Sequence, residues 1–153
     1  MLFSRDKMKG TTGNPHGDAH LATAFTFEVE GLFTGGIHQV DGLTSQHDVV
    51  LAKDNDDRVM RARPGNQGVI NFTVTRDYSH TPEFRDWFKT VTDGLVKHRT
   101  CTVSSMNDQH VVQSQIHVFG CWPKSYSIQG FDSKSSNHLV EVLEIVGHQI
   151  SYA

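Results

Sequence analysis

From Ala24 the chain alternates strictly, with Phe25, Phe27 and Val29 on one side and Thr26, Glu28 and Glu30 on the other, up to Gly31. A period of two rich in aromatic and β-branched residues predicts a half-buried strand. Gly35-Gly36 marks a turn, and Ile37, Val40 and Leu43, interrupted by Asp41-Gly42, predict a second strand bulged at the glycine. A short third strand is expected over 46–52. Ile70, Phe72 and Val74 then alternate with Asn71, Thr73 and Thr75 in a strand ending near Arg76-Asp77. Strands over 100–106, 111–119 and 139–150 follow, the first two joined as a hairpin through 107–110 with Asn107-Asp108 as its turn.

One segment changes period. Phe84, Trp87, Phe88 and Val91 fall at i, i+3, i+4 and i+7, the apolar stripe of a helix packed on a sheet, with Arg85, Asp86 and Lys89 left for solvent. Thr81 is the expected N-cap, Pro82 the first helical residue, Glu83 a complement to the helix dipole, and Gly94 the stop. About seven strands and one helix fit a small antiparallel barrel or sandwich. Residues 8–20 carry Gly, Asn, Pro and Asp without apolar periodicity, so 1–20 reads as an N-terminal arm and 21–153 as a single domain.

Composition narrows the function. The 153 residues are 37% hydrophobic and 20% charged with a net charge of −3, a globular balance without the basic field needed to grip nucleic acid through phosphates. No apolar run is long enough for a membrane span and no secretory pattern opens the chain, so cytoplasmic synthesis without stable membrane anchoring is expected. Cys101 and Cys121 read as small core thiols. The ten histidines are unusual. The closest mixed pair, His117 and Cys121, would be about 13 Å apart on an extended strand, too far for one metal ion, so no metal ligands are expected. Histidines crowded at subunit contacts would instead make assembly weaken as pH falls through about 6.5.

No nucleophile elbow, phosphate-binding loop, dinucleotide fingerprint or zinc-binding HExxH is present, so neither catalytic residues nor a cofactor are expected. Glu28, Glu30, Glu141 and Glu144 read as solvated strand residues. The more suggestive segment is polar 53–68, where Asp54, Asp56 and Asp57 precede Arg58, Arg61 and Arg63, with Pro64-Gly65 as a turn signal. A long exposed loop or hairpin carrying both charges suits docking on an identical neighbour.

The order of features resembles the tail-tube proteins of contractile phage tails and phage-tail-like injection systems. The likeness runs from Phe25–Gly31, Gly35-Gly36-Ile37 and Val40-Asp41-Gly42-Leu43, through Arg61-Ala62-Arg63-Pro64-Gly65 and the Glu83–Phe88 helix, similar to the family's aromatic "W-D-W-F" segment. It continues with Phe119-Gly120-Cys121-Trp122-Pro123, similar to "N-A-W-P", and Ser135-Ser136-Asn137 before Val140–Ile145, similar to the "S-N-E-x-x-x-E-x-L-E-L" ending. Gly120-Cys121 departs from "N-A", and His138 from the acid after Asn137. The resemblance implies a barrel closed by one helix, hexameric rings stacked head to tail into a hollow conduit for DNA or protein cargo, a surrounding contractile sheath, and baseplate and tube-terminator partners. A type VI-like secreted hexameric tube protein or a baseplate tube initiator would share this architecture. A monomeric ligand-binding barrel and a histidine-dependent metalloenzyme are the readings from other classes.

Overall fold

A computed structural model describes residues 24–153 apart from 33, 54, 57, 79–81 and 108. The expected N-terminal arm, Thr81, Asp54, Asp57 and Asp108 therefore lie outside the described residues, as do His16, His20 and His80. The described chain holds nine strands and one helix, in the order β1 (Phe25–Val29), β2 (Ile37–Thr44), β3 (His47–Ala52), β4 (Arg61–Gln67), β5 (Ile70–Asp77), α1 (Glu83–Thr92), β6 (Arg99–Met106), β7 (Val112–Gln129), β8 (Val140–Gly147) and β9 (Gln149–Tyr152). All pairings are antiparallel. The main sheet runs β1-β6-β7-β8-β5-β2, with β9 also on β7, and curls into a half-barrel.

Of the two strands beyond those expected, one is β4, in the segment read as a loop or hairpin, and the other comes from a break in the last predicted strand. β7 does not stop at Phe119. Its first half pairs with β6 up to Cys121 and its second half, 122–129, pairs with β8. Pro123, which has no N–H to give, sits beside a register shift just beyond the end of β6, where that edge of β7 has no neighbour to supply. The strand expected to end at 119 runs on through Gly120 and Pro123, which mark the partner switch. The last predicted strand is broken at His148, so that β8 serves the second half of β7 and β9 the first.

β1 presents Phe27 and Val29 inward as its alternation requires, and β5 buries Ile70, Phe72 and Val74. These residues join Cys101, Val118, Cys121, Leu143 and Ile145 in one core. Both cysteines are fully buried, as the sequence suggested. The neighbouring Cys121 thiol, and then burial, push the Cys101 thiol well above its ordinary value. β2 has the bulge predicted at Asp41-Gly42, where Gly42 takes φ +71° and any side chain would be strained.

The helix begins one residue later than predicted, with Pro82 at the N-cap position rather than inside the first turn. It ends as expected, Gly94 taking φ +80° just past the C-cap Asp93. Phe84 and Trp87 are buried, while Phe88 and Val91 are half-buried on the flank of the same stripe.

Candidate functional site

The segment singled out for its charges is the distal half of a long hairpin. β2 continues into β3, and β4 into β5, so the β2/β5 pair lies in the main sheet while β3 and β4 form a separate two-stranded ribbon. Residues 61–67 are thus strand, not loop, and Pro64-Gly65 is no turn: Pro64 pairs with Val49 inside the ribbon. A strand of a two-stranded ribbon has one free edge, where a residue without an N–H costs no ladder bond and discourages stray strand addition.

Register gives the ribbon two unlike faces. Val50 opposes Arg63 and Ala52 opposes Arg61, whereas Leu51 opposes Ala62 and Val49 opposes Pro64. One face is therefore basic and mixed, the other apolar. Val49 is 67% exposed and Leu51 62%, and Val59 and Met60 beside the tip are exposed as well. Exposed apolar side chains contiguous on one face mark a contact surface. The structure brings Arg61 and Arg63 together on one face and leaves Asp56 and Arg58 in the tip. The reading by charge missed the apolar face, because Val50 between Val49 and Leu51 hides any alternation in β3 and only the pairing with β4 assembles the face.

A second polar assembly lies inside the barrel, under α1. Arg76, 1% exposed, donates through Nε to Oε1 of Glu141, itself 2% exposed, and its Nη2 is 3.6 Å from Oε2 of Glu83. The guanidinium carbon sits 3.9 Å above the Phe84 ring centroid, a cation–π contact, and the Tyr126 hydroxyl donates to Glu141 Oε2 at 2.7 Å. Glu141 is therefore not the solvated strand residue expected. It opposes Arg76 directly across β5 and β8, on the inward face, where a buried carboxylate persists only because it is paired. Glu28, Glu30 and Glu144 are exposed as expected. α1 packs against β7, with Phe88 stacked on Tyr126 at 6.2 Å between centroids.

Tyr126 carries a testable pH signature. Burial, then the hydrogen bond to Glu141, raise its hydroxyl above the ordinary tyrosine value of about 10. A group that stays protonated in the folded state while it ionises in the unfolded one contributes stability that is fully present below about pH 10 and is lost as pH rises beyond it. We expect Tyr126→Phe to flatten the fall in urea midpoint between pH 9 and about 11. Parallel curves for the two proteins would contradict that assignment.

The described histidines do not converge. His38 lies 2.6 Å from Asp77, His117 Nδ1 is 2.9 Å from the Thr102 hydroxyl, and the His98 and His148 rings are 5.7 Å apart. Among the described residues no three His, Cys, Asp or Glu side chains are grouped to hold a metal ion. The chemistry on view is that of packing and docking surfaces.

Comparison with known proteins agrees. Residues 21–151 match the family of the T4-like virus tail tube protein gp19. The class is that of structural tube proteins, not enzymes. The chain belongs to the T4-like tail tube protein family and is a structural subunit of the inner tube of a contractile tail or injection system. Among solved structures the fold is shared with the extended sheath-tube complex of the PVC extracellular contractile injection system, at 18% identity over 99% of each chain with a TM-score of 0.79. It is also shared with the tube-terminating cap of the anti-feeding prophage, at 15% identity over 89% of this chain and 91% of that one, TM-score 0.80. Hcp1 from Flavobacterium johnsoniae is more distant, at 16% identity over 85% of this chain and 94% of that one, TM-score 0.53. The search of curated protein sequences finds no match.

Proposed function

We propose that six copies of this chain close into a ring, with residues 21–153 acting as one tube domain, and that rings stack head to tail into a hollow conduit for DNA or protein cargo. The observation that carries this reading is the state of the sheet edges. Among the described residues β2 pairs only with β5, and residues 122–129 of β7 pair only with β8, so within them the run β2-β5-β8-β7 ends in two open edges. Alternating pairing across four strands leaves those edges antiparallel, so each can receive its counterpart from an identical neighbour without a break in the ladder. A heterologous contact of this kind closes into a ring when its rotation allows. Sheath, baseplate and terminator proteins are the partners of such a tube, and the particle, viral or genome-free, is its location.

The ribbon then bridges successive rings. Its apolar face, Val49, Leu51, Ala62 and Pro64, is covered by the neighbouring ring, while Arg58, Arg61 and Arg63, with the acids Asp54, Asp56 and Asp57, set the approach. In negative-stain electron microscopy we expect six-fold rings and hollow tubes from the purified chain supplied with its baseplate. Val49→Asp with Leu51→Asp, or Arg58, Arg61 and Arg63 all changed to Glu, should leave the circular dichroism spectrum unchanged and yield rings without tubes. A uniform monomer from the wild-type chain would sink the ring reading, and full-length tubes from both variants the stacking role of the ribbon.

A further inference from the structure

Two histidines meet where β6 begins, β7 changes partner and β8 gives way to β9. His98 directly precedes β6, whose first residue Arg99 opposes Cys121. His148 lies in the break between β8 and β9, and its amide donates to the Phe119 carbonyl at 2.9 Å. Two distant parts of the chain thus bring imidazoles to residues 119–121 of β7, and the ring centroids stand 5.7 Å apart with 32° between the planes. Gly120 leaves room for one of them, since a Cβ there would come within 2.5 Å of the His148 Cδ2.

The backbone beside each ring is held. The Trp87 indole N–H donates to the Lys97 carbonyl at 2.8 Å just ahead of His98, and Gly147 and Gln149, which flank His148, pair with Ile70 and Phe119. The adjacent Arg99 guanidinium is drawn toward β1, its Nη1 donating to the Glu30 carbonyl at 2.7 Å. Both imidazoles stay exposed, so ions and water reach them. An ion bound to two imidazole nitrogens at about 2.0–2.1 Å and a tetrahedral angle holds the ring centroids roughly 5 Å apart. Small side-chain rotations bring the observed spacing to that value, and a fixed backbone lowers the ordering cost of doing so.

We propose that His98 and His148 form a binding site for a transition-metal dication, Cu²⁺ most tightly and Ni²⁺ or Zn²⁺ after it, which clips the segment leaving α1 to the β8–β9 junction. Imidazole nitrogen suits these ions, whereas Ca²⁺ and Mg²⁺ take oxygen ligands. Among the described residues no carboxylate or thiol joins the pair to make three, so oxygen-seeking cations find no anchor and the remaining positions fall to water. The unfolded chain does not hold the two rings together, so an ion bound to both stabilises the fold. The site lies within one subunit and does not depend on ring formation.

Calorimetric titration of the full chain with copper(II) chloride at about pH 7.5, where an ordinary imidazole is neutral, tests it. His98→Gln and His148→Gln should each weaken the tightest site at least about tenfold, and the double variant should bind no more weakly than either, because one lost arm already breaks the chelate. His47→Gln and His117→Gln should leave that site unchanged. The electron paramagnetic resonance spectrum of the one-to-one copper complex should show two nitrogen ligands, and Zn²⁺ should raise the thermal midpoint of the wild type but not of His98→Gln. Should His148→Gln fold poorly, His98→Gln alone decides. Wild-type affinity in His98→Gln would overturn the site. So would an equal loss in His47→Gln, which would mean an adventitious ion only, held by scattered surface histidines, or a wild-type chain that takes up no copper.

Discussion

Arg76→Met should destabilise the subunit by about 3–5 kcal/mol, a large part of the roughly 5–15 kcal/mol that holds a domain of this size together. The magnitude follows from what is left behind. Methionine fills much of the same space over the Phe84 ring, so little packing is lost, but Glu141 remains 2% exposed on the inward face of β8 with only the Tyr126 hydroxyl to stabilise it. A buried carboxylate stripped of its cation must either stay charged in an apolar surround or take up a proton, and both are costly at neutral pH. The double variant Arg76→Met/Glu141→Leu removes both charges and should recover most of the loss, because desolvating the pair offsets much of its attraction. Urea titrations of the wild type, the two single variants and the double variant form the cycle that measures this. Additive losses would mean that the two side chains act independently and that the pair is not what pins α1 to the sheet.

The strand alternations of β1 and β5 and the stripe of α1 were legible in the sequence because each is a local pattern that fixes which face is buried. The same locality explains the misreadings. Whether Gly120 and Pro123 end a strand depends on whether β6 still lies alongside, and that is decided by residues 99–106, not by the segment itself. Pro64-Gly65 has turn chemistry, yet its partner strand β3 holds it extended. Glu141 sits between Val140 and Val142 in a pattern that reads equally as buried aliphatic strand or solvated face. Only the cross-strand position of Arg76 makes it an inward residue. At the candidate contact surface the charges of 56–63 were visible, but the apolar face was not, because it is assembled from alternate residues of two strands. Pairing, not composition, brings Val49 and Leu51 beside Ala62 and Pro64. The family likeness rested on the order of segments along the chain, a non-local property, and it was therefore correct where single motifs were equivocal.

Trp87→Ala should cost about 3–5 kcal/mol, while Phe88→Ala, one residue along the same stripe, should cost distinctly less. Periodicity alone treats the two aromatics as equals, and the structure separates them. Trp87 is 2% exposed, is one of the largest fully enclosed side chains of the core, and donates from its indole N–H to the Lys97 carbonyl at 2.8 Å, tying the helix to the segment that leads into β6. Its removal leaves a cavity that a curled sheet with paired strands cannot collapse, and it orphans a carbonyl that the indole had satisfied. Phe88 is only half-buried, stacked on Tyr126 at the rim of the helix, and its loss opens a surface groove into which water can enter. Thermal and urea unfolding of both variants give the comparison. Equal costs would mean that the helix is held by its whole apolar stripe, and a small cost for Trp87 that the sheet stands without it. Ring assembly extends the consequence: 122–129 of β7, the proposed ring edge, includes Tyr126, against which the helix is packed, so loosening α1 should disturb that edge before the distal ribbon. Trp87→Ala tubes, where they form at all, should then fail between subunits of one ring rather than between rings.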